Sequence, residues 1–396
     1  MSSLRSAWPV PEDVAYLNHG SFGPSPRVVQ AARDEWSRRL ERQPMDFFVR
    51  QMEPHLDAAA ETLGRFAGCR GEDLIFVENA TAGMNLVAAS LPLAAGDEVL
   101  LTNHEYGAVL RIWRTVCERA GANVVVRDLS RGVPPRTGPA RPGSADEIAD
   151  GLLEAVTERT RLIVVSHVTS PTAIVLPVEL ICQRAKERGV PVCIDGPHAL
   201  AMRPVNVERL GCDFYAASCH KWLCGPFGSG FLYVSKRWQA HMRPTTISWG
   251  GSVSGRPASW KDEFTWPGTR DPAAYLALTA AIEFLEDYGL DRFRDQTHRL
   301  ARYARARITE LTGLEPLVPD SLDWYGSMIA LPLPPSPEPP PKKGERDPLQ
   351  NQLWEQHRIE VPIVHWHGRR FVRVSCHLYN SEADVDRLVA ALEKLL

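Results

Sequence analysis

Short apolar runs recur through the middle of the chain: Asp73–Val77, Glu98–Thr102, Asn123–Arg127, Arg161–Val165, Pro191–Asp195, Phe214–Ala217 and Gly230–Val234. Between them lie stretches with apolar residues at three- and four-residue spacing, such as Ala82–Leu91, Ala108–Ala120 and Val178–Arg188. Strands alternating with helices in this way predict an α/β fold, a mostly parallel seven-stranded sheet covered by helices on both faces. Sheets of this kind take ligands beyond the carboxyl ends of their strands. Asp195 and the segment Ser218–Lys221 fall at two of those ends.

After Trp266-Pro-Gly-Thr the pattern changes. Two long helical stretches, Pro272–Tyr288 and Leu290–Leu311, lead to short strand-like runs at Met328–Leu331 and Phe371–Val374, then an amphipathic stretch at Ser381–Leu396. This predicts three units: an N-terminal segment (1–20) packing near the active site, a large domain (21–265) and a smaller α+β domain (266–396). Two stretches read as loops, Gly132–Pro142 and the proline-rich 333–348, because neither composition can hold a packed core. The polyproline run serves either as an exposed insertion or as a partner-docking segment. No internal repeat is visible.

The chain has 396 residues, enough for a substantial core, and a formal net charge of −3 from 45 basic and 48 acidic residues. That balance gives no electrostatic case for binding nucleic acid or an anionic membrane. No apolar run approaches the ~20 residues needed to span a bilayer. The first residues lack the apolar stretch of a signal peptide, so a cytoplasmic location is expected. The eight cysteines include no C-x-x-C pair, and Cys193, Cys212 and Cys219 sit inside apolar runs. They read as reduced, buried thiols rather than a disulfide or zinc framework, and no metal is expected.

The candidate chemistry centres on Lys221. A lysine after a strand is ordinarily a solvated loop residue. Here it closes Ser218-Cys-His220-Lys221, follows the strand-end carboxylate Asp195, and precedes the glycine-rich Gly225-Pro-Phe-Gly228-Ser-Gly230. A lysine amine condenses with carbonyls to form a Schiff base, and pyridoxal phosphate (PLP) enzymes pair that lysine with an Asp on the pyridine nitrogen. Ala80 and Thr81, following Asn79 at a strand-to-helix junction, offer amides and a hydroxyl to a phosphate dianion. The glycines after Lys221 precede a strand, whereas a dinucleotide loop follows one and opens a helix.

These motifs resemble the class V aminotransferase family of fold-type I PLP enzymes, and most closely its isopenicillin N epimerase-like branch. The resemblance runs from Tyr16-Leu-Asn-His-Gly-Ser-Phe-Gly-Pro24 to Arg373-Val-Ser-Cys-His-Leu-Tyr-Asn380. It implies that Lys221 carries the PLP and Asp195 pairs with its ring nitrogen, while Ala80, Thr81, Ser218 and His220 hold the phosphate. Thr269, in Trp266-Pro-Gly-Thr-Arg270, would reach the phosphate of a partner subunit, which implies a homodimer with shared sites. His198 matches the position of a Gln or His bonded to the ring oxygen. Ser170, with Thr169 beside it, stands where relatives carry an Asn near that oxygen, and this departure leaves the partner of that oxygen open.

For the residue stacked on the ring, Tyr106 and His104 compete. Aligning Trp113 with the Trp of cysteine desulfurases favours Tyr106. Arg373 matches the family's carboxylate-binding arginine, a role suited to a bidentate guanidinium. Asn18 and His19 are candidates for the substrate-binding mouth. His365, Trp366 and His367 either line the side-chain pocket or form a plain turn. The stretch His357–Arg370 contains no cysteine, unlike the mobile sulfur-accepting segment of cysteine desulfurases. The resemblance implies chemistry at Cα of an amino acid or amino-acid conjugate, with epimerisation first and carbon–sulfur lysis or transamination as alternatives. A non-catalytic PLP-fold binding protein is the distant alternative, and the presence of both Lys221 and Asp195 argues against it.

Overall fold

The computed structural model describes residues 4–129, 144–336, 339, 341–342 and 345–396, so the loop expected over Gly132–Pro142 lies outside the described residues. A two-residue strand, β1 (Ala15–Tyr16), precedes helices Arg27–Arg42 and Met52–Ala67. The large sheet uses β2 (Leu74–Val77), β3 (Glu98–Thr102), β4 (Asn123–Arg127), β5 (Thr160–Ser166), β6 (Val192–Asp195), β7 (Phe214–Ser218) and β8 (Gly230–Val234). Its order is β2-β8-β7-β6-β5-β3-β4. From β7 through β4 all neighbours pair in parallel, whereas β8 runs antiparallel to both β2 and β7.

Both faces of this sheet are covered, which is why its central strands read as unbroken apolar runs. Val99 and Leu101 point into one core with Met84 and Trp113, and Leu100 points into the other with Ile163 and Ile194. Helices Ala80–Ser90 and Gly107–Ala120 supply the first core, and Val178–Glu187 packs into the second.

A second sheet follows, of β9 (Met328–Leu333), β11 (Ile363–Trp366) and β12 (Arg369–Ser375), antiparallel in the order β11-β12-β9. The short β10 (Ile359–Glu360) pairs in parallel with β1, tying the N-terminal segment to this region. The expected helix Pro272–Tyr288 is split into Ala273–Leu276 and Leu278–Tyr288. The proline-rich stretch is narrower than expected: Leu333 still belongs to β9, and Pro348 opens helix Pro348–His357. Among the described residues no helix is long and apolar enough to cross a membrane.

Candidate active site

Every loop that carries a candidate residue of the large sheet leaves the carboxyl end of a strand, and only that after β2 leaves one paired solely antiparallel. β6 ends in Asp195, β7 ends in Ser218, and Lys221 stands in the turn that follows. The Lys221 carbonyl accepts from the Cys224 amide at 2.8 Å and faces His19 Nε2 at 3.0 Å. Closing that turn puts Cys224 in the left-handed region, with φ of 60°. Lys221 Nζ lies 3.1 Å from His198 Nε2, and the Trp222 indole donates to His198 Nδ1 at 3.4 Å. Burial drives the Lys221 amine below its ordinary range, the nearby Arg373 charge adds to this, and Asp195 opposes it. Burial drives Asp195 the other way, upward, and Lys221 opposes that shift.

One edge of the site is built for an anion. Asn79 caps helix Ala80–Ser90 by accepting from the Ala82 amide at 3.0 Å, and the Ala80 amide donates to Ser218 Oγ at 2.9 Å. Ser218, Ala80 and Thr81 are thereby gathered at a helix N-terminus. In the Lys221 turn, His220 keeps a buried Nδ1 with no partner among the described residues. Exposed Thr269 lies beside Arg270, which donates to Glu78 Oε1 at 2.6 Å, one residue before Asn79.

Arg373 comes from β12 and is buried at 6% exposure. Its Nη1 donates to the Ser170 carbonyl at 2.6 Å and to Ser170 Oγ at 3.2 Å, and its Nη2 donates to Ser21 Oγ at 2.7 Å. Its Nε is buried with no partner among the described residues. Burial lowers the guanidinium to about 10, and the Tyr106 hydroxyl pushes back upward, which places Tyr106 within electrostatic reach of Arg373. Ser21 was not marked out by sequence. It lies inside the N-terminal motif, but a serine there carries no signal of its own. Ser170 Oγ accepts from Arg373, which leaves its hydroxyl hydrogen free to donate.

Three other candidates are fully buried. His19 is fully buried, with Nδ1 2.9 Å from the Tyr379 hydroxyl and Nε2 on the Lys221 carbonyl. It has no nitrogen left for a substrate, so it supports the Lys221 turn rather than lining a mouth. Thr169 is also fully buried, and its hydroxyl meets Thr172 Oγ1 at 2.7 Å and the Ile174 amide at 2.8 Å. It closes a turn in which Ala173 has φ of 58°, and is not presented as a cofactor donor. His104 is buried against Trp366, ring centroids 4.4 Å apart, with Nδ1 2.9 Å from Thr172 Oγ1. Burial lowers it to about 3. Tyr106 by contrast is 49% exposed. Asn18 donates to Glu360 Oε1 at 3.2 Å and keeps a buried Oδ1 with no partner among the described residues.

Within the stretch His357–Arg370, β11 turns into β12 as a tight hairpin at His367 and Gly368, with φ of 48° and 72°. Trp366 Nε1 donates to the Asn103 carbonyl at 3.2 Å, and His367 Nε2 meets Asn103 Nδ2 at 3.0 Å. The hairpin thus pins the loop that carries His104 and Tyr106. Beneath the site, His19, Cys224 and His377 bring ligand-type atoms within 4.8 Å of one another. His19 Nε2 is turned to the Lys221 carbonyl and Cys224 Sγ pairs with His377 Nε2 at 3.3 Å, so the cluster is hydrogen-bonded packing.

These residues fit PLP on their own chemistry. An amine depressed by burial, a buried carboxylate near it, donors at a helix N-terminus and a buried guanidinium with an unpartnered Nε match an aldehyde, a pyridine nitrogen, a phosphate and a substrate carboxylate. Fold and site together define a fold-type I PLP-dependent enzyme. The family model of aminotransferase class-V matches residues 24–336, so the chain belongs to the class-V aminotransferase family. It is 37% identical over 394 residues to an isopenicillin N epimerase of Amycolatopsis lactamdurans, covering 96% of this chain and 95% of that protein. It is 34% identical over 394 residues to an isopenicillin N epimerase of Streptomyces clavuligerus, with the same coverage. A probable cysteine desulfurase of Halalkalibacterium halodurans is 28% identical over 396 residues, covering 96% and 93%. Among solved structures, a cysteine desulfurase from Thermococcus onnurineus NA1 has the same fold, at TM-score 0.80 and 22% identity, covering 100% of this chain and 98% of that one.

Proposed function

We propose that this enzyme inverts the α-carbon of an amino acid or amino-acid conjugate, in the manner of an isopenicillin N epimerase. The observation that carries the reading is the electrostatic meeting of Lys221, Asp195 and Arg373, each perturbed by burial and the first by both of the others. When bound, PLP supplies an electron sink that acidifies the Cα proton. Lys221 tethers the cofactor and moves the proton on its own face. Asp195 would hold the ring-nitrogen proton, Ala80, Thr81, Ser218 and His220 would secure the phosphate, and His198 would serve the ring oxygen. Arg373 clamps the substrate carboxylate, and Asn18 borders it. Tyr106 would cover the face opposite Lys221 and deliver the second proton. The exposure of Tyr106 and its reach to Arg373 support this choice over buried His104.

The reading includes a homodimer in which Thr269 serves the partner's phosphate site. The exposed apolar residues Ile247 and Trp249, at 89% and 76% exposure a short way upstream, support a second copy as their cover. It keeps the division into segment 1–20, large domain 21–265 and small domain 266–396. It also keeps a cytoplasmic setting, supported by eight free, buried cysteines.

The test is incubation of the holoenzyme in deuterium oxide with L- and D-amino acids and cysteine conjugates. Inversion with deuterium uptake at Cα supports the reading. Pyruvate with ammonia would replace it by β-elimination, and an oxo acid by transamination.

A further inference from the structure

The N-terminal stretch from Asn18 to Gly23 touches both Lys221 and Arg373. His19 holds the Lys221 carbonyl at 3.0 Å, and two residues later Ser21 Oγ accepts from Arg373 Nη2 at 2.7 Å. Gly20, between them, has no room for a side chain: a Cβ there would stand 2.7 Å from Met328 Sδ and 2.8 Å from Ser375 Oγ. At Gly23 a Cβ would stand 2.5 Å from His19 Nε2 and 2.7 Å from the His220 carbonyl. The path is also fixed at its start, where the Ser375 amide donates to the Leu17 carbonyl at 2.9 Å and Asn18 bridges Ser375 in parallel. Ser375 lies two residues beyond Arg373 on β12, so the stretch is registered to the strand that carries the guanidinium.

We propose that Asn18–Gly23 is a positioning strap that sets the Arg373 guanidinium relative to Lys221, and that Ser21 is the residue through which it acts. This rests on Arg373 being the partner of the substrate carboxylate. An arginine fork free to rotate must be ordered when a carboxylate arrives, and that ordering opposes binding. Here Ser170 holds Nη1 and Ser21 holds Nη2, so the fork is set before substrate enters. Ser21 touches neither the reacting carbon nor the cofactor in this assignment. It is a positioning residue, and its hydroxyl is the group that matters.

The test titrates the holoenzyme's cofactor absorbance with glycine, which has a carboxylate, and with methylamine, which lacks one. Ser21→Ala should weaken glycine by about 10- to 100-fold, the scale of a lost hydrogen bond to a charged group. It should leave methylamine affinity, the starting absorbance and the thermal midpoint unchanged, and Ser21→Thr should restore glycine affinity. Unchanged glycine affinity in Ser21→Ala, while Arg373→Ala weakens it, would overturn the strap alone. Equal weakening of glycine and methylamine would also overturn it, since that marks general damage to the site. If Arg373→Ala itself leaves glycine unchanged, the carboxylate assignment fails and the strap falls with it.

Discussion

His198 donates to Lys221. The Trp222 indole nitrogen can only donate, and it faces His198 Nδ1, so the imidazole proton resides on Nε2, 3.1 Å from the lysine amine. The amine therefore accepts, which requires its neutral form, and burial and Arg373 push it in the same direction. A neutral amine is the nucleophile that captures an aldehyde.

Replacing Lys221 with Ala should abolish the visible absorbance of the PLP-loaded protein and its turnover. His198→Ala should keep both but move the pH midpoint for PLP capture by the apoprotein upward by about one unit, because a donor to the neutral amine is lost and water enters. Stopped-flow capture rates between pH 6 and 9 measure this, and an unmoved midpoint would contradict the assigned polarity.

Arg373→Ala should lower kcat/KM on carboxylate-bearing substrates by about 2–5 kcal/mol, or roughly 30- to 5,000-fold. Arg373→Lys should recover only part, because a point charge cannot reproduce the fork. The absorbance of the resting enzyme should stay the same in both variants.

If Tyr106 delivers the second proton, Tyr106→Phe should still exchange the Cα proton of one enantiomer with solvent while losing inversion by about 100-fold or more. His104→Gln should leave the ratio of exchange to inversion intact. Parallel deuterium-uptake and chiral-chromatography assays separate the two.

Mixing inactive Lys221→Ala and Thr269→Ala subunits should regenerate activity, because one site of each mixed dimer carries both lesions and the other carries none. Recovery near zero would mean that each site is built from one chain.

Burial lowers His19, His104 and His167 from 6.5 to about 3. Folded-state values below the unfolded one mean that, as pH falls, the unfolded chain takes up protons that the folded chain refuses. Stability from these groups is complete above pH 6.5 and is lost between there and about 3, at roughly 2 kcal/mol per histidine from pH 7 to 5. Urea midpoints across that range should fall steeply, and His167→Gln should make the fall shallower.

The chemistry at strand ends was legible because short apolar runs announce buried strands and parallel sheets gather ligands at one edge. That placed Asp195, Ser218 and Lys221 without any contact information. The reversal of β8 was not legible, since Gly230-Phe-Leu-Tyr-Val234 reads the same in either direction. Nor were β1 and β10, two residues each and defined only by one another. His19 was misassigned because its motif signals nearness to the site, and only the Lys221 carbonyl and Tyr379 show which way the ring faces. The Arg373–Ser21 contact joins positions 352 apart, beyond any local pattern.

That separation also sets a schedule. A ribosome adding about 5–20 residues per second releases Ser21 on the order of 20–70 s before it reaches Arg373. Once β8 has emerged, later in that interval, the large sheet can form and Lys221 can take its place after β7, but His19 still lacks Tyr379 and Ser21 still lacks Arg373. The substrate clamp is therefore the last part of the catalytic centre to assemble. A nascent chain stalled before β12 should capture PLP weakly and fail to distinguish glycine from methylamine.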